Sequence, residues 1–366
     1  MSKILILTNH SYMLYRFRLE LIRELMKTHE VVLSMPFVGH EEDFMALGIR
    51  CIQTDVDRRG INPGTDWKLF QAYRKLLRDE RPDMVITYSI KPNIYGGLAC
   101  RLAGIPYCAN VQGLGTAFQR KGLAQFVTVL YKLALGRAKT VFFENEANAA
   151  EFRRRKILPE RRQTVLPGAG INLEAYPCVP YPENEAVHFL YLGRIMKEKG
   201  MGELFGAMKR LYDKYGSRVV LDLVGFYDDD SYKEQVEGLV SGGIALFHGF
   251  QTDPLPYYAA ADCVVLPSYH EGMSNVLLEA AAVGRPIITS DIPGCREAVE
   301  DGRTGLLCKA RDTDSLYTQL CRRTDTPRSQ RQAMGLAGRE KMERDFDKQK
   351  VVLQTTAAIF GAAEHS

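Results

Sequence analysis

Residues 268–291, Ser-Tyr-His-Glu-Gly-Met-Ser-Asn-Val-Leu-Leu-Glu-Ala-Ala-Ala-Val-Gly-Arg-Pro-Ile-Ile-Thr-Ser-Asp, decide the fold. An apolar run, Cys263-Val-Val-Leu-Pro267, precedes them and reads as a buried parallel strand that delivers the chain into a loop. Either Ser274 or Asn275 can N-cap a helix through Leu277, Leu278 and Ala280 to Ala282. Gly284 supplies its C-terminal stop, and Pro286-Ile-Ile-Thr-Ser290 reads as the next strand. A strand–loop–helix–strand unit of this kind aims a helix N-terminus out of the carboxyl edge of a sheet, where phosphate binds. Glu271 precedes the helix and Glu279 lies about two turns along it. Acids beside an anion site need another partner, and the hydroxyl groups of a sugar or ribose are suitable ones.

The same alternation extends outward on both sides. Val187–Leu192 is a strand, Gly193-Arg194 a turn, Met201–Tyr215 a helix and Val219–Val224 a strand with Gly225 at its end. Ile244–Phe247 follows as a strand and Pro256–Ala260 as a short helix. The N-terminal half opens the same way: strand Lys3–Leu7, a loop through Asn9-His-Ser11, and a helix from Tyr15 to Lys27. Further strands are expected at Glu30–Ser34, Gly48–Ile52, Asp83–Thr87 and Pro106–Ala109, with Val141–Phe143 as the last of this half. Trp67–Arg78, Leu98–Ala103 and Asn145–Arg155 read as helices. Helix–Gly–x–Pro–strand occurs twice, at Gly104-Ile-Pro106 and Gly284-Arg-Pro286. The expected fold class is α/β, with two Rossmann-like doubly wound domains facing across a cleft. The expected domains are residues 1–175 and 183–340, joined through the Pro-rich Tyr176–Pro182. Residues 341–366 are expected to form a helix that packs back on the first domain.

Composition narrows the function. The 366 residues, 46% hydrophobic, are enough for two cores. No run approaches the roughly 20 apolar residues of a membrane-spanning helix, and the N-terminal apolar run is too short for a signal peptide. The eight cysteines are scattered without Cys-x-x-Cys or metal spacing, and read as reduced thiols of a cytoplasmic protein. Up to residue 170 there are 26 Lys and Arg against 16 Asp and Glu, hence +10; beyond it, 22 against 28, hence −6, giving the net +4. A basic half suits an anionic partner: nucleic acid, a phosphorylated substrate or an anionic lipid surface. No stacking-aromatic motif accompanies it, which disfavours nucleic acid. Phe118–Lys139 is amphipathic, with Phe126, Val127, Leu130, Leu133 and Leu135 set against Arg120, Lys121, Lys132, Arg137 and Lys139. That pattern fits a helix lying on a bilayer, or one packed on the sheet with a solvated basic face.

Candidate chemistry collects in the second half. Arg194 and Lys199, just past a strand end, suit phosphate oxygens and could neutralise a departing diphosphate. Glu279 sits among Leu and Ala, where an idle charge is costly. Asp228-Asp-Asp230 lacks flanking metal ligands and reads as an exposed turn. His10 and His270 stand in strand-end loops, without metal spacing. No Gly-x-Gly-x-x-Gly follows the first strand, so a nicotinamide-dinucleotide fingerprint is absent.

Gly193-Arg194, Lys199-Gly200, Asp262–Ser268, Glu271-Gly272, Leu278-Glu279-Ala280 and Gly284-Arg-Pro286 together resemble the retaining glycosyltransferases of family four, whose fold is GT-B. Ile90-Lys-Pro-Asn-Ile-Tyr-Gly96 and Val111-Gln-Gly-Leu-Gly115 resemble a narrower branch. It includes the N-acetylgalactosaminyltransferase that extends diacetylbacillosaminyl-diphospho-undecaprenol, and related capsule and O-antigen enzymes. The resemblance implies a UDP-sugar donor, UDP-GalNAc first among them, and a lipid-diphosphate-linked sugar acceptor. It implies retention at the transferred carbon, no cofactor or metal, and work at the inner face of the plasma membrane. Arg194 and Lys199 would clamp the diphosphate, Glu271 would contact the donor sugar and Glu279 the ribose. The backbone of Gly272, Met273, Ser274 and Asn275 would face the phosphates, and Gly225, Phe250, Ser11 and Gln112 complete the donor candidates. Many members have glycines in the loop after the first strand and a His at the position of Gln112; here Asn9-His-Ser11 and Gln112 stand instead. Alternatives are a glycosyltransferase with a soluble acceptor, a nucleotide-sugar epimerase, and a non-catalytic nucleotide-sugar-binding subunit.

Overall fold

The structure, a computed structural model, describes residues 1–57, 62–114, 118 and 121–361, the side chain of Lys121 excepted. Two compact units divide the chain: Met1–Ala169 with Gln349–Ser366, and Gly170–Lys348.

In the first unit the chain runs β1 (Ser2–Leu7), α1 (Ser11–Met26), β2 (His29–Met35), α2 (Glu41–Ala46), β3 (Arg50–Gln53), α3 (Pro63–Glu80) and β4 (Met84–Tyr88). A π-helical turn, Pro92–Gly96, leads into α4 (Gly97–Ala103), β5 (Tyr107–Val111), α5 (Lys121–Leu135), β6 (Val141–Phe143), α6 (Glu146–Arg154) and β7 (Gln163–Val165). All strands are parallel, in the order β3-β2-β1-β4-β5-β6-β7. Side chains alternate across the sheet. Leu5 and Leu7 pack with Leu69 and Tyr73 of α3 and Val127 and Tyr131 of α5. Ile4 and Ile6 pack on the other face with Leu14 and Leu21 of α1.

Two sequence expectations are corrected here. Val141–Phe143 is not the last strand, because β7 pairs with it in parallel. β7 is a short, partly exposed edge of Gln-Thr-Val, so it carries no apolar run to announce it. The first helix begins at Ser11 rather than Tyr15, with Ser11 buried and its Oγ accepting the Val38 N–H at 2.9 Å.

The second unit contains β8 (Val187–Leu192), α7 (Met201–Tyr215), β9 (Val219–Val224), α8 (Lys233–Ser241), β10 (Ala245–Gly249), α9 (Leu255–Ala260) and β11 (Cys263–Leu266). Then come α10 (Asn275–Ala282), β12 (Ile287–Ser290), β13 (Gly305–Cys308), α11 (Thr313–Asp325) and α12 (Arg328–Asp345). Its parallel sheet has the order β10-β9-β8-β11-β12-β13, so strand order reverses between β8 and β11. The Tyr176–Pro182 stretch lies against this unit, where the buried Tyr181 O–H donates to the Asp262 carbonyl at 2.6 Å. α13 (Lys348–Phe360) returns to the first unit, with Val351, Val352 and Ile359 buried among the residues of β1, β2 and α1. Both Gly-x-Pro helix ends close on left-handed glycines, Gly104 (φ +70°) and Gly284 (φ +82°).

Across β8, β9 and β10, Asp222 accepts from His188 Nδ1 and His248 Nε2, each at 2.8 Å. The hydrogen bond to Asp222 raises His188 above the ordinary histidine range. Burial pushes Asp222 upward, but the two imidazoles outweigh it and hold the carboxyl below its ordinary range. A raised histidine stabilises the fold below its unfolded pKa, about 6.5, and loses that contribution as pH rises through its folded value. A lowered carboxyl contributes above about 3.9 and loses it as pH falls. The second unit therefore gains from this cluster between pH ~4 and ~6.5. Melting at pH 5.5 and 8.0 tests it: Asp222→Asn should abolish the part of the pH 5.5 advantage that His188 supplies. An unchanged difference would assign the pH dependence elsewhere.

Candidate active site

Five neighbouring parallel strands of the second unit end at one edge, and the candidate residues stand on their loops. Gly193 and Arg194 follow β8, Gly225 closes β9, and Phe250 follows β10. Ser268–Ser274 follow β11, and Ile292–Gly294 follow β12. Lys199 ends a 3-10 turn, Lys197–Lys199, and its Nζ lies 2.5 Å from Glu271 Oε1. Ser268 Oγ donates to the same oxygen at 2.7 Å. This three-residue link spans the point where strand order reverses, the usual ligand position in open parallel sheets. Gly200 makes it feasible: at φ +75°, a Cβ there would lie 2.1 Å from the Pro267 carbonyl oxygen. Under the loop, the buried Tyr191 O–H donates to the Arg194 carbonyl at 2.6 Å. Burial first, and then the Glu271 charge, keep this phenol well above the ordinary tyrosine range, so it remains a donor.

Arg194 is half exposed, with Nη1 3.3 Å from Asp228 Oδ2. Asp228 is mostly buried, which corrects its reading as part of an exposed turn. Asp229 caps the following 3-10 turn by accepting from the Ser231 N–H at 3.0 Å. No cluster of metal-ligating side chains occurs among the described residues. His270 is held below the ordinary histidine range by burial and then by the Arg311 guanidinium, so it is neutral at pH 7.

Ser274 occupies the N-cap position of α10, but its side chain makes no cap hydrogen bond. Its N–H instead donates to the Gly294 carbonyl at 2.9 Å. Gly294, at φ +86°, lies so close that a Cβ would sit 2.5 Å from the Gly272 carbonyl oxygen. Glu279 is buried on α10 and accepts the Tyr258 O–H at 2.8 Å. Met273 is buried too, whereas Phe250 is exposed and edge-on to Phe226, with ring centroids 6.0 Å apart. The structure thus brings Arg194, Lys199, Gly225, Phe250, Glu271–Asn275 and Glu279 onto one unit. Sequence reasoning missed Ser268, Asp228, Tyr258 and Gly294 as their supports.

The remaining two candidates belong to the first unit. Ser11 is occupied with Val38 as described, and Gln112 stands past β5, its Oε1 3.4 Å from Ser89 Oγ. Gly115, Thr116, Arg120 and the Lys121 side chain lie outside the described residues.

Comparisons with known proteins agree with this fold. Residues 186–325 match a family model described as "Glycosyl transferases group 1", and residues 16–169 one described as "Glycosyl transferase 4-like domain". The chain is 31% identical to N,N'-diacetylbacillosaminyl-diphospho-undecaprenol alpha-1,3-N-acetylgalactosaminyltransferase of Campylobacter jejuni, over 84% of this chain and 85% of that one. It is 26% identical to UDP-Gal:alpha-D-GlcNAc-diphosphoundecaprenol alpha-1,3-galactosyltransferase of Escherichia coli, over 78% of each. HepE of Anabaena, solved with UDP and glucose, superposes with a TM-score of 0.81 at 17% identity, covering 99% of this chain and 100% of that one. The chain belongs to the family-four glycosyltransferases of the GT-B fold.

Proposed function

We propose that the protein transfers a hexose or N-acetylhexosamine, with GalNAc the first choice, from a UDP-sugar to an undecaprenyl-diphosphate-linked sugar in bacterial surface glycan or glycoprotein-glycan assembly. One observation carries this reading: Arg194, Lys199 and the α10 N-terminus converge on the edge that also bears Glu271 and Glu279. Two cations and a helix N-terminus suit a diphosphate, and two carboxylates suit sugar and ribose hydroxyls. The names of the Campylobacter and Escherichia relatives supply the lipid-linked acceptor, and the HepE complex supplies UDP.

In this mechanism the bond between the sugar anomeric carbon and the diphosphate oxygen breaks as the acceptor oxygen attacks from the same face. The acceptor proton passes to the departing diphosphate oxygen, and the configuration is retained. Arg194, Lys199 and the N–H groups of Gly272–Asn275 stabilise the growing negative charge, so the proposal needs no metal. Glu271 orients the donor sugar while holding Lys199; Glu279, fixed by Tyr258, takes the ribose; Gly225 and Phe250 border the nucleoside. A screen of UDP-GalNAc, UDP-GlcNAc, UDP-Gal and UDP-Glc against lipid-diphosphate sugars tests the reading. An α-linked product is expected, and no transfer from any donor would overturn it.

The acceptor reading also includes the inner membrane face. α5 packs Val127, Tyr131 and Leu135 inward, yet leaves Phe126, Val129 and Leu133 50%, 54% and 47% exposed, with Lys132 among them. Arg101 Nη1 donates to the Leu133 carbonyl at 2.7 Å, and its neighbour Leu102 is 70% exposed. No helix among the described residues is long and apolar enough to cross a membrane. Phe126→Ser with Val129→Ser and Leu133→Ser should cut co-sedimentation with vesicles of roughly one-third anionic lipid at least tenfold. Unchanged binding would separate this helix from the membrane.

A further inference from the structure

Two pockets of about 170 and 230 Å³ open in the first unit where β1, β4 and β5 end, and they share Asn9, Ser89 and Gln112. Tyr88 and Arg18 line the smaller one, and are only 2% and 6% exposed. Arg18 Nη2 donates to Glu144 at 2.8 Å, and the guanidinium lies 5.4 Å from the Tyr88 ring centroid. Even so, the Tyr88 hydroxyl and Arg18 Nε find no hydrogen-bond partner among the described residues. Orphaned buried donors are rare in folded proteins, and a ligand that supplies the acceptor accounts for them.

The next residue, Ser89, adopts φ +77°, a conformation that non-glycine residues occupy only when their surroundings enforce it. Its Oγ lies 2.8 Å from Asn9 Oδ1 and 3.4 Å from Gln112 Oε1, so one hydroxyl ties the ends of three strands together. Met13 and Leu14 add an apolar wall to the same pocket.

Charge excludes a phosphate here. Arg18 is matched by Glu144, and Lys91, the cation lining the larger pocket, sits 2.8 Å from Asp66 and 3.7 Å from Asp57. What remains is two buried donors, carboxamide oxygens, the Thr8 hydroxyl, the His10 imidazole and a small apolar wall. An acetamido group has the complementary parts: a carbonyl acceptor, an N–H donor and a methyl.

We infer that the pocket of Asn9, Met13, Leu14, Arg18, Tyr88 and Gln112 is a specificity subsite for the N-acetyl group of the acceptor sugar. The inference rests on the proposed lipid-linked sugar acceptor. The acetyl oxygen accepts from Tyr88 and Arg18 Nε, the amide N–H donates to Asn9 or Gln112, and the methyl meets Met13 and Leu14. Ser89 acts as a positioning residue.

The test compares full-length wild-type protein and Tyr88→Phe on GlcNAc- and Glc-diphosphoryl-lipid acceptors, with the donor found by the screen. Wild type should prefer the GlcNAc acceptor at least tenfold in kcat/KM, and Tyr88→Phe should shrink that ratio about tenfold. The melting temperature of Tyr88→Phe should hold or rise, because the lost hydroxyl has no partner among the described residues. A merely structural tyrosine would give a lower melting temperature and an unchanged ratio, which overturns the inference. Wild-type turnover without N-acetyl preference also overturns it, leaving the proposed function standing. No turnover with any donor overturns both.

Discussion

Glu271→Gln should lower the rate of glycosyl transfer roughly 10²–10³-fold in a protein that remains folded. The carboxylate holds Lys199 Nζ at 2.5 Å and Ser268 Oγ at 2.7 Å. In the proposed reaction it also orients the donor sugar. The amide keeps the shape and one acceptor oxygen, so Ser268 retains its bond and the loop stays in place. The lost charge leaves Lys199 without its ionic partner, at a cost of about 1 kcal/mol. Glu271→Ala removes both contacts, opens a partly buried gap and should cost about 2–3 kcal/mol as well as activity. Rates and thermal melts on the same preparations separate the effects. A loss under tenfold for Glu271→Gln would reduce the residue to a loop support.

The largest stability loss is expected from Gly225→Ala. Gly193 (φ +152°) and Gly225 (φ +150°) stand on adjoining strand ends, and a Cβ on Gly225 would lie 1.8 Å from the Gly193 carbonyl oxygen. That carbonyl cannot withdraw easily, because the Gly193 N–H donates to Val224 O at 2.9 Å and the Gly225 N–H to Gly249 O at 2.8 Å. Strand ends must part, at about 3 kcal/mol or more, which lowers Tm by roughly 6–12 °C for a unit of this size. UDP affinity should fall at least tenfold with it, because the same edge carries the proposed nucleoside contacts. Gly202→Ala is the control. It lies in α7 with nothing within 4 Å of the added carbon, and should be neutral or stabilise by about 0.5–1 kcal/mol. Equal melting of the two variants would refute the crowding argument.

These expectations show what was legible in the residues and what was not. β6, β8, β9 and α7 have the bounds read from their apolar patterns, because a strand buried on both faces is a continuous apolar run. β7 and β13 escaped notice. The first is a partly exposed edge, and the second a four-residue strand, Gly305–Cys308, without flanking periodicity. The helix α10, starting just past Ser274 in the loop after β11, was legible from local pattern alone. The roles proposed for Arg194, Lys199, Glu271 and Glu279 came from resemblance, since the bonds that organise them join residues far apart in the chain. Lys199 meets Glu271 across 72 positions, and Arg194 meets Asp228 across 34. No period or propensity encodes such pairs, which is why Asp228 read as part of an exposed turn. Tyr88 and Ser89, just past the expected strand Asp83–Thr87, drew no notice for the same reason: burial, an orphaned hydroxyl and a positive φ are properties of the folded chain.

The return of α13 to the first unit sets an order of assembly during synthesis. Gly170–Lys348 is contiguous and can fold as it emerges, whereas Met1–Ala169 waits for Val351, Val352 and Ile359 to cover its sheet. At about 5–20 residues per second, that wait lasts roughly 10–40 s. During it the apolar face of β1 and β2 that α13 will cover lies open to solvent and to chaperones. A ribosome that stops just after residue 348 releases a complete second unit tethered to a first one whose core is unsealed, so degradation of such stalled chains should begin at the N-terminal end.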